Sequence, residues 1–322
     1  MTLIATAPGK LMLAGEYAVL DGGPALIVAV SRRVRARLVA PTATPPLLSE
    51  FIAGIAALFE QQGQPLLAAA ARRVIVDSSS FYLGRQKLGL GSSAAVTVAT
   101  IACVIGNLLG VDAAQPDRIV EFAEQAHGNV QGARGARGSG ADLVTCAHGG
   151  VVRFVRGGSP AVQQYSGLPD GAQIVAFFTG QSADTAQLVA NVRASQQNAP
   201  AQVNRALTAI AAAASNAARA VAHNHLGDFI TALQQNALGL AALGQAAMLE
   251  LETEAVRKVR LAVNRADICV KTTGAGGGDI AVVVGPPSLD VTETTQRIIQ
   301  AGCNVIPLSL TPRGVDFETS AG

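Results

Sequence analysis

The sequence predicts an α+β protein in which strand-rich and helix-rich stretches follow one another along the chain. Three observations point there. Short apolar runs punctuated by glycine and proline fill residues 2–40, the pattern of strands. An alanine-rich block with helical spacing covers residues 185–266. A strand, a glycine loop and a second strand then follow over 268–272, 273–279 and 280–284.

At 322 residues the chain suits two domains or one large one, with a soft boundary near residue 170 that divides 1–170 from 171–322. Hydrophobic residues make up 49%, enough for a sizeable core. A net charge of +2 argues against a large nucleic-acid surface, which needs clustered basic residues. Arg32, Arg33, Arg35 and Arg37 alternate along a strand-like run and read as an exposed strand face. Cys103, Cys146, Cys269 and Cys303 stand far apart without metal-ligand spacing, so reduced core cysteines and a cytoplasmic setting are expected. His223 and His225 read as surface residues. Neither a signal peptide nor a membrane span is expected.

Taken in order, residues 2–7 read as a strand broken by Pro8-Gly9-Lys10, and 25–30 and 34–40 as further strands. Read alone, Lys10 is a solvent lysine at a strand edge. Residues 41–46 hold three prolines and read as a loop. A helix over 47–62 places Phe51, Ile55 and Phe59 on one face, and a short one covers 66–73. Strands are expected at 73–76 and 81–83. The run 94–109 is apolar with almost no charge, which reads as a buried helix. Residues 114–127 form another helix, opened by Pro116. Residues 131–142 are too rich in glycine for a regular element. They deliver Arg134, Arg137 and Asp142 from a loop; read alone, this is a solvated segment whose Asp142 caps a helix over 143–147. Strands are expected at 151–155 and 174–178, and either Ser182 or Asp184 caps the helix after them. In the helical block, Val203, Leu207 and Ile210 share one face, as do Phe229, Leu233, Ala237 and Leu240. A helix over 290–301 and a strand near 304–310 end the chain.

The chemistry gathers at Lys87-Leu88-Gly89-Leu90-Gly91-Ser92-Ser93-Ala94-Ala95. A glycine loop feeding a helix is an anion site, because free N–H groups and the positive end of the helix dipole face one spot. The serine hydroxyls can bind phosphate or a magnesium ion, and Lys87 adds a cation. The stretch is neither a Walker loop nor a dinucleotide fingerprint.

Three glycine motifs stand in order: Pro8-Gly9-Lys10 with Gly15-Glu16, the 89–95 loop, and Gly274-Ala275-Gly276-Gly277-Gly278-Asp279. Together they resemble the GHMP small-molecule kinases over nearly the whole chain. The likeness implies a two-domain α+β fold, with an N-terminal domain like ribosomal S5 domain 2 and a ferredoxin-like C-terminal domain. It also implies ATP and Mg2+ as ligands, and a monomer or homodimer. Backbone N–H groups of Gly89, Leu90, Gly91, Ser92, Ser93 and Ala94 would hold the ATP phosphates, with Ser93 on the metal. Lys10, Lys87 and Asp142 would form the catalytic set. Glu16, Tyr17, Arg134, Arg137, Ser139, Gly140, Ser182, Gly276 and Gly277 would join Lys10 and Lys87 around the acceptor.

Within the family the sequence is similar to the branch that acts on phosphomevalonate. Mevalonate kinases usually carry His at the position of Tyr17 and a magnesium-binding Glu near Gln131, and this chain has neither. The acceptor's chemistry agrees. An alcohol must lose a proton, whereas a phosphate monoester, with a second pKa of about 6, is already largely dianionic at neutral pH. It needs no base but brings charge next to ATP, so extra cations are expected; Lys87, Arg134, Arg137 and Arg193 can supply them. Mevalonate kinase activity and a catalytically silent, ligand-binding regulator of the same fold are the alternatives.

Overall fold

The computed structural model describes residues 3–40, 47–133 and 138–319. The proline loop at 41–46 and the guanidinium pair Arg134 and Arg137 lie outside them. The chain opens with two long antiparallel strands, β1 (Leu3–Ala14) and β2 (Pro24–Leu38). Pro8-Gly9 does not end the first strand. Proline donates no N–H, and the register with β2 shifts between Pro8 and Gly9, so the break expected there is a bulge within a continuous strand. The two expected runs at 25–30 and 34–40 likewise merge into one strand. Val34 and Ala36 point into the core while Arg35 and Arg37 face solvent.

Next come α1 (Glu50–Gln61), α2 (Pro65–Ala71), β3 (Val74–Asp77) and the small hairpin β4 (Tyr82–Leu83) and β5 (Gln86–Lys87). Helix α1 starts where Ser49 accepts the Ile52 N–H, and it buries Ile55 and Phe59 as the spacing requires. Helix α3 (Ser92–Leu109) is the central element. It has the length and composition of a membrane span, but it packs on β1 and β2 with most of its residues fully buried. Helix α4 (Pro116–Ala133) runs a full turn and more beyond the expected end, so Gln131 to Ala133 are helical. Helix α5 (Ala141–His148) follows, then β6 (Val151–Val155) and β7 (Val162–Tyr165).

The second half runs β8 (Gln173–Phe178), α6 (Thr185–Asn198), α7 (Pro200–Ala222), α8 (Leu226–Ala247), α9 (Glu254–Val263), β9 (Cys269–Thr272), β10 (Ile280–Gly285), α10 (Val291–Gln300), β11 (Asn304–Ile306) and β12 (Asp316–Thr319). The first sheet has the order β12-β1-β2-β6-β7, with β3 also on β2. The second has the order β11-β8-β10-β9, the antiparallel arrangement of a ferredoxin-like unit. The last strand, β12, thus returns to the first sheet and pairs Leu3 with Thr319.

Alternation along the second sheet explains its two coverings. Val175, Phe177, Ala281 and Val283 pack with Val256, Val259 and Ile298 of α9 and α10. Ala176, Phe178, Ile280 and Val282 face the main core shared with Ala214, Phe229 and Leu233 of α7 and α8. Strand β10 is buried on both faces, which is why its sequence reads as an unbroken apolar run. All four cysteines are free and buried. His223 and His225 are exposed.

His127 of α4 stacks on Phe51 at 4.9 Å between ring centroids, and its Nε2 has no partner among the described residues. Burial lowers its pKa, although the Asp142 carboxylate pulls the other way; burial also lowers that of His148 beside Asp117. Below the ordinary histidine pKa of about 6.5 the unfolded chain therefore takes up protons that the folded chain refuses. The protein is expected to lose stability as pH falls through that value. Denaturant unfolding between about pH 7 and 5 checks this, and His127→Phe should flatten the slope.

Candidate active site

The N-terminal end of α3 is built from its glycines. Gly89 and Gly91 both have positive φ, at 73° and 76°, and Gly91 is the N-cap without any side-chain cap. The first intrahelical bond is Ala95 N–H to the Gly91 carbonyl, so the N–H groups of Ser92, Ser93 and Ala94 have no partner within the helix. The loop is pinned on β1 by the Lys10 N–H, which donates to the Leu90 carbonyl at 3.0 Å, and on its other side by the Leu88 N–H, which donates to the Phe81 carbonyl at 3.0 Å. Gly9 makes this approach possible, since a Cβ there would lie 3.1 Å from the Leu90 oxygen. The Lys10 side chain then runs across Gly91, whose Cβ would meet the lysine Cε at 2.9 Å. Its Nζ reaches Asp142 Oδ2, 3.4 Å away. With a side chain only 9% exposed, Lys10 is no solvent lysine. Asp142 does not cap α5 either; Gly140, at φ 88°, is the N-cap and Asp142 sits in the first turn, facing Lys10.

These groups line one cavity of about 730 Å³. Lys10, Glu16, Tyr17, Lys87, Gly89, Gly91, Ser92, Ser93, Ser139, Asp142, Ser182 and Arg193 all border it. Leu90 and Ala94 do not: their side chains enter the core, and only their backbone belongs to the loop. Gly140 also lies off the lining, as do Gly276 and Gly277, which pack against Leu251 and Leu188. Their place is to let the third glycine loop approach its neighbours, with the Gly277 N–H donating to the Leu251 carbonyl at 2.8 Å.

Glu16 borders the cavity but offers it little. One carboxylate oxygen takes Lys271 Nζ at 2.6 Å and the other takes Asn236 Nδ2 at 2.7 Å, with both members of the ion pair 1% exposed. Asn236 in turn accepts the Gly15 N–H. The Tyr17 hydroxyl donates to the Ala275 carbonyl at 2.5 Å, and burial raises its pKa. The turn 15–17 therefore ties β1 to α8, β9 and the 274–278 loop. Ser182 donates to the Lys87 carbonyl, while Asp184, not Ser182, caps α6. Phe51, Gln131 and Asp279 also line the cavity, where the sequence gives none of them a role of its own. Gln131 accepts the Gly138 N–H through Oε1, and Asp279 ends the third glycine loop, the one signal that pointed to it.

The unpartnered N–H groups on α3, flanked by Lys10 and Lys87 in a cavity of this size, fit a triphosphate. Among the described residues no cluster of three His, Cys, Asp or Glu can hold a metal by itself.

The two sheets and the glycine loop define the α+β GHMP kinase fold. Streptococcus pneumoniae phosphomevalonate kinase, solved with phosphomevalonate and AMPPNP, shares it with a TM-score of 0.74 at 19% identity, over 97% of this chain and 100% of that one. Residues 52–150 match the family described as GHMP kinases N terminal domain. A phosphomevalonate kinase of Streptomyces sp. strain CL190 is 27% identical, covering 97% of each chain. A mevalonate kinase of Thermococcus sibiricus is 26% identical, covering 99% of each. Residues 52–150 thus match the N-terminal domain of the GHMP kinases, and the chain as a whole shares the fold of that family's solved members.

Proposed function

We propose that the protein transfers the γ-phosphoryl group of ATP to the phosphate of (R)-5-phosphomevalonate, giving 5-diphosphomevalonate and ADP in the mevalonate route to isoprenoids. The observation that carries this reading is the pairing of Lys10 and Lys87 in one cavity at the start of α3, with Arg193 on its α6 side. Phosphoryl transfer is mainly positioning and charge stabilisation. The free N–H groups of Ser92 to Ala94 orient the triphosphate, and Mg2+, when bound, neutralises its charge. Lys10 stands between donor and acceptor, and Asp142 holds its ammonium in place. An acceptor phosphate needs no base but requires a cation of its own, the part assigned to Lys87.

The 26% identity to a mevalonate kinase of Thermococcus sibiricus favours a second reading, in which the acceptor is the 5-hydroxyl of mevalonate. ADP release measured with phosphomevalonate and mevalonate side by side separates the two. Turnover of phosphomevalonate alone is expected; turnover of mevalonate alone supports the second reading. Magnesium-dependent turnover of neither would leave a silent regulator. Lys87→Met is expected to raise the KM for phosphomevalonate about tenfold or more, the scale of one lost charge-assisted contact, with the KM for ATP nearly unchanged. Equal increases in both would remove Lys87 from the acceptor side.

A further inference from the structure

Asp279 lies at the cavity but has no part in the chemistry above. Its backbone is in the left-handed region at φ 57°, unusual for a residue with a side chain. The 179–183 segment holds it there. The Asp279 N–H donates to the Gln181 carbonyl at 2.8 Å, and its own carbonyl accepts both the N–H and the hydroxyl of Thr179 at 3.0 Å. The Ala183 N–H donates to Oδ1 at 3.3 Å. The other oxygen is laid on the phosphate loop: a Cβ on Gly89 would stand 2.5 Å from Asp279 Cβ, Cγ and Oδ2. The carboxylate thus fills the space that a side chain at 89 would take. The cations that act on it are Lys10 of β1 and Lys87 of β5, and Lys10 is already shared with Asp142 of α5.

We propose that Asp279 is a specificity-determining residue, a built-in counter-ion that makes the site accept nucleotide carrying its metal and turn away the bare polyanion. The inference rests on the nucleotide reading above. At the start of α3 the two lysines are matched by the two carboxylates of Asp142 and Asp279, with Arg193 standing apart on the α6 side of the cavity. A metal-free nucleotide meets Asp279 with its full negative charge, whereas the magnesium complex brings two compensating charges and feels that carboxylate far less. Burial raises the pKa of Asp279, and the Ala183 N–H and the two lysines counter this only in part.

Calorimetric titration with ADP, once in EDTA and once in excess Mg2+, tests this. Asp279→Asn keeps the acceptor for the Ala183 N–H and suits positive φ; Asp279→Gly suits it better still and removes the side chain. Both variants are expected to bind metal-free ADP on the order of tenfold more tightly than the natural protein, with the magnesium complex changed by less than about threefold. If the natural protein binds ADP with Mg2+ but neither variant gains affinity in EDTA, this role of Asp279 is overturned while the nucleotide reading stands. If ADP binds under neither condition, both fall.

Discussion

Lys271→Met is expected to lower the free energy of unfolding by about 3–5 kcal/mol, the usual result of stranding one member of a buried ion pair. The methionine keeps much of the stem, so packing changes little. What changes is Glu16, which stays buried, keeps only the Asn236 amide, and has no cation to offset its loss of water. The Lys271 ammonium also donates to the Thr272 carbonyl, a bond lost in the same step. Removing the charge on both sides, with Glu16→Gln and Lys271→Met together, should recover much of the loss, because no buried ion then remains. Urea unfolding of both single variants and the double variant gives the coupling directly. Equal stability of Lys271→Met and the natural protein would mean that water reaches the pair.

Lys10→Met is expected to lower kcat by about two to three orders of magnitude, the scale of removing one donor aimed at developing charge. The stem packs across Gly91, and methionine can occupy that path. The variant should therefore fold normally and lose only the ammonium. Asp142 then faces the reacting phosphates without its partner, adding repulsion to the missing attraction. Single-turnover kinetics with saturating ATP measure the chemical step apart from binding. A kcat within about threefold of the natural value would show that Lys10 does not reach the transferred group.

How far the sequence reveals the protein depends on whether the signal is local. The α3 helix and its phosphate loop are legible because paired glycines, a cap-like step and an apolar run are contiguous in sequence. Strand β10 is legible because burial on both faces leaves an apolar run. By contrast β7 and β12, Val-Gln-Gln-Tyr and Asp-Phe-Glu-Thr in sequence, are four-residue strands of mixed character. They are strands because β6 and β1 offer edges, which no window of sequence contains. Pro8-Gly9 misleads for a related reason: a bulge in a long ladder and a strand end look alike locally.

The site divides in the same way. Lys10, Lys87, Ser93 and Asp142 stand out by type beside glycines, and the fold brings them to one cavity. Glu16 stands out too, yet its carboxylate is engaged by Lys271, which is 255 positions away in the chain. Asn236 lies in an otherwise apolar helical face and Lys271 in an apolar strand. Each reads as an ordinary member of its element until the tertiary pairing is known. Asp279 closes a motif whose glycines draw the attention, and its task depends on where Gly89 arrives from the other half of the molecule.

The return of β12 to β1 bears on how the chain is made. During synthesis the ribosome delivers β1 long before β12, for the partner of its outer edge, residues 316–319, emerges more than three hundred residues later. Until then Leu3 to Thr6 present an unpaired hydrogen-bonding edge to any passing strand. The nascent chain is therefore most prone to aggregate in this interval, and a chaperone that shields this edge should raise the yield of active protein more than one that shields the helical block.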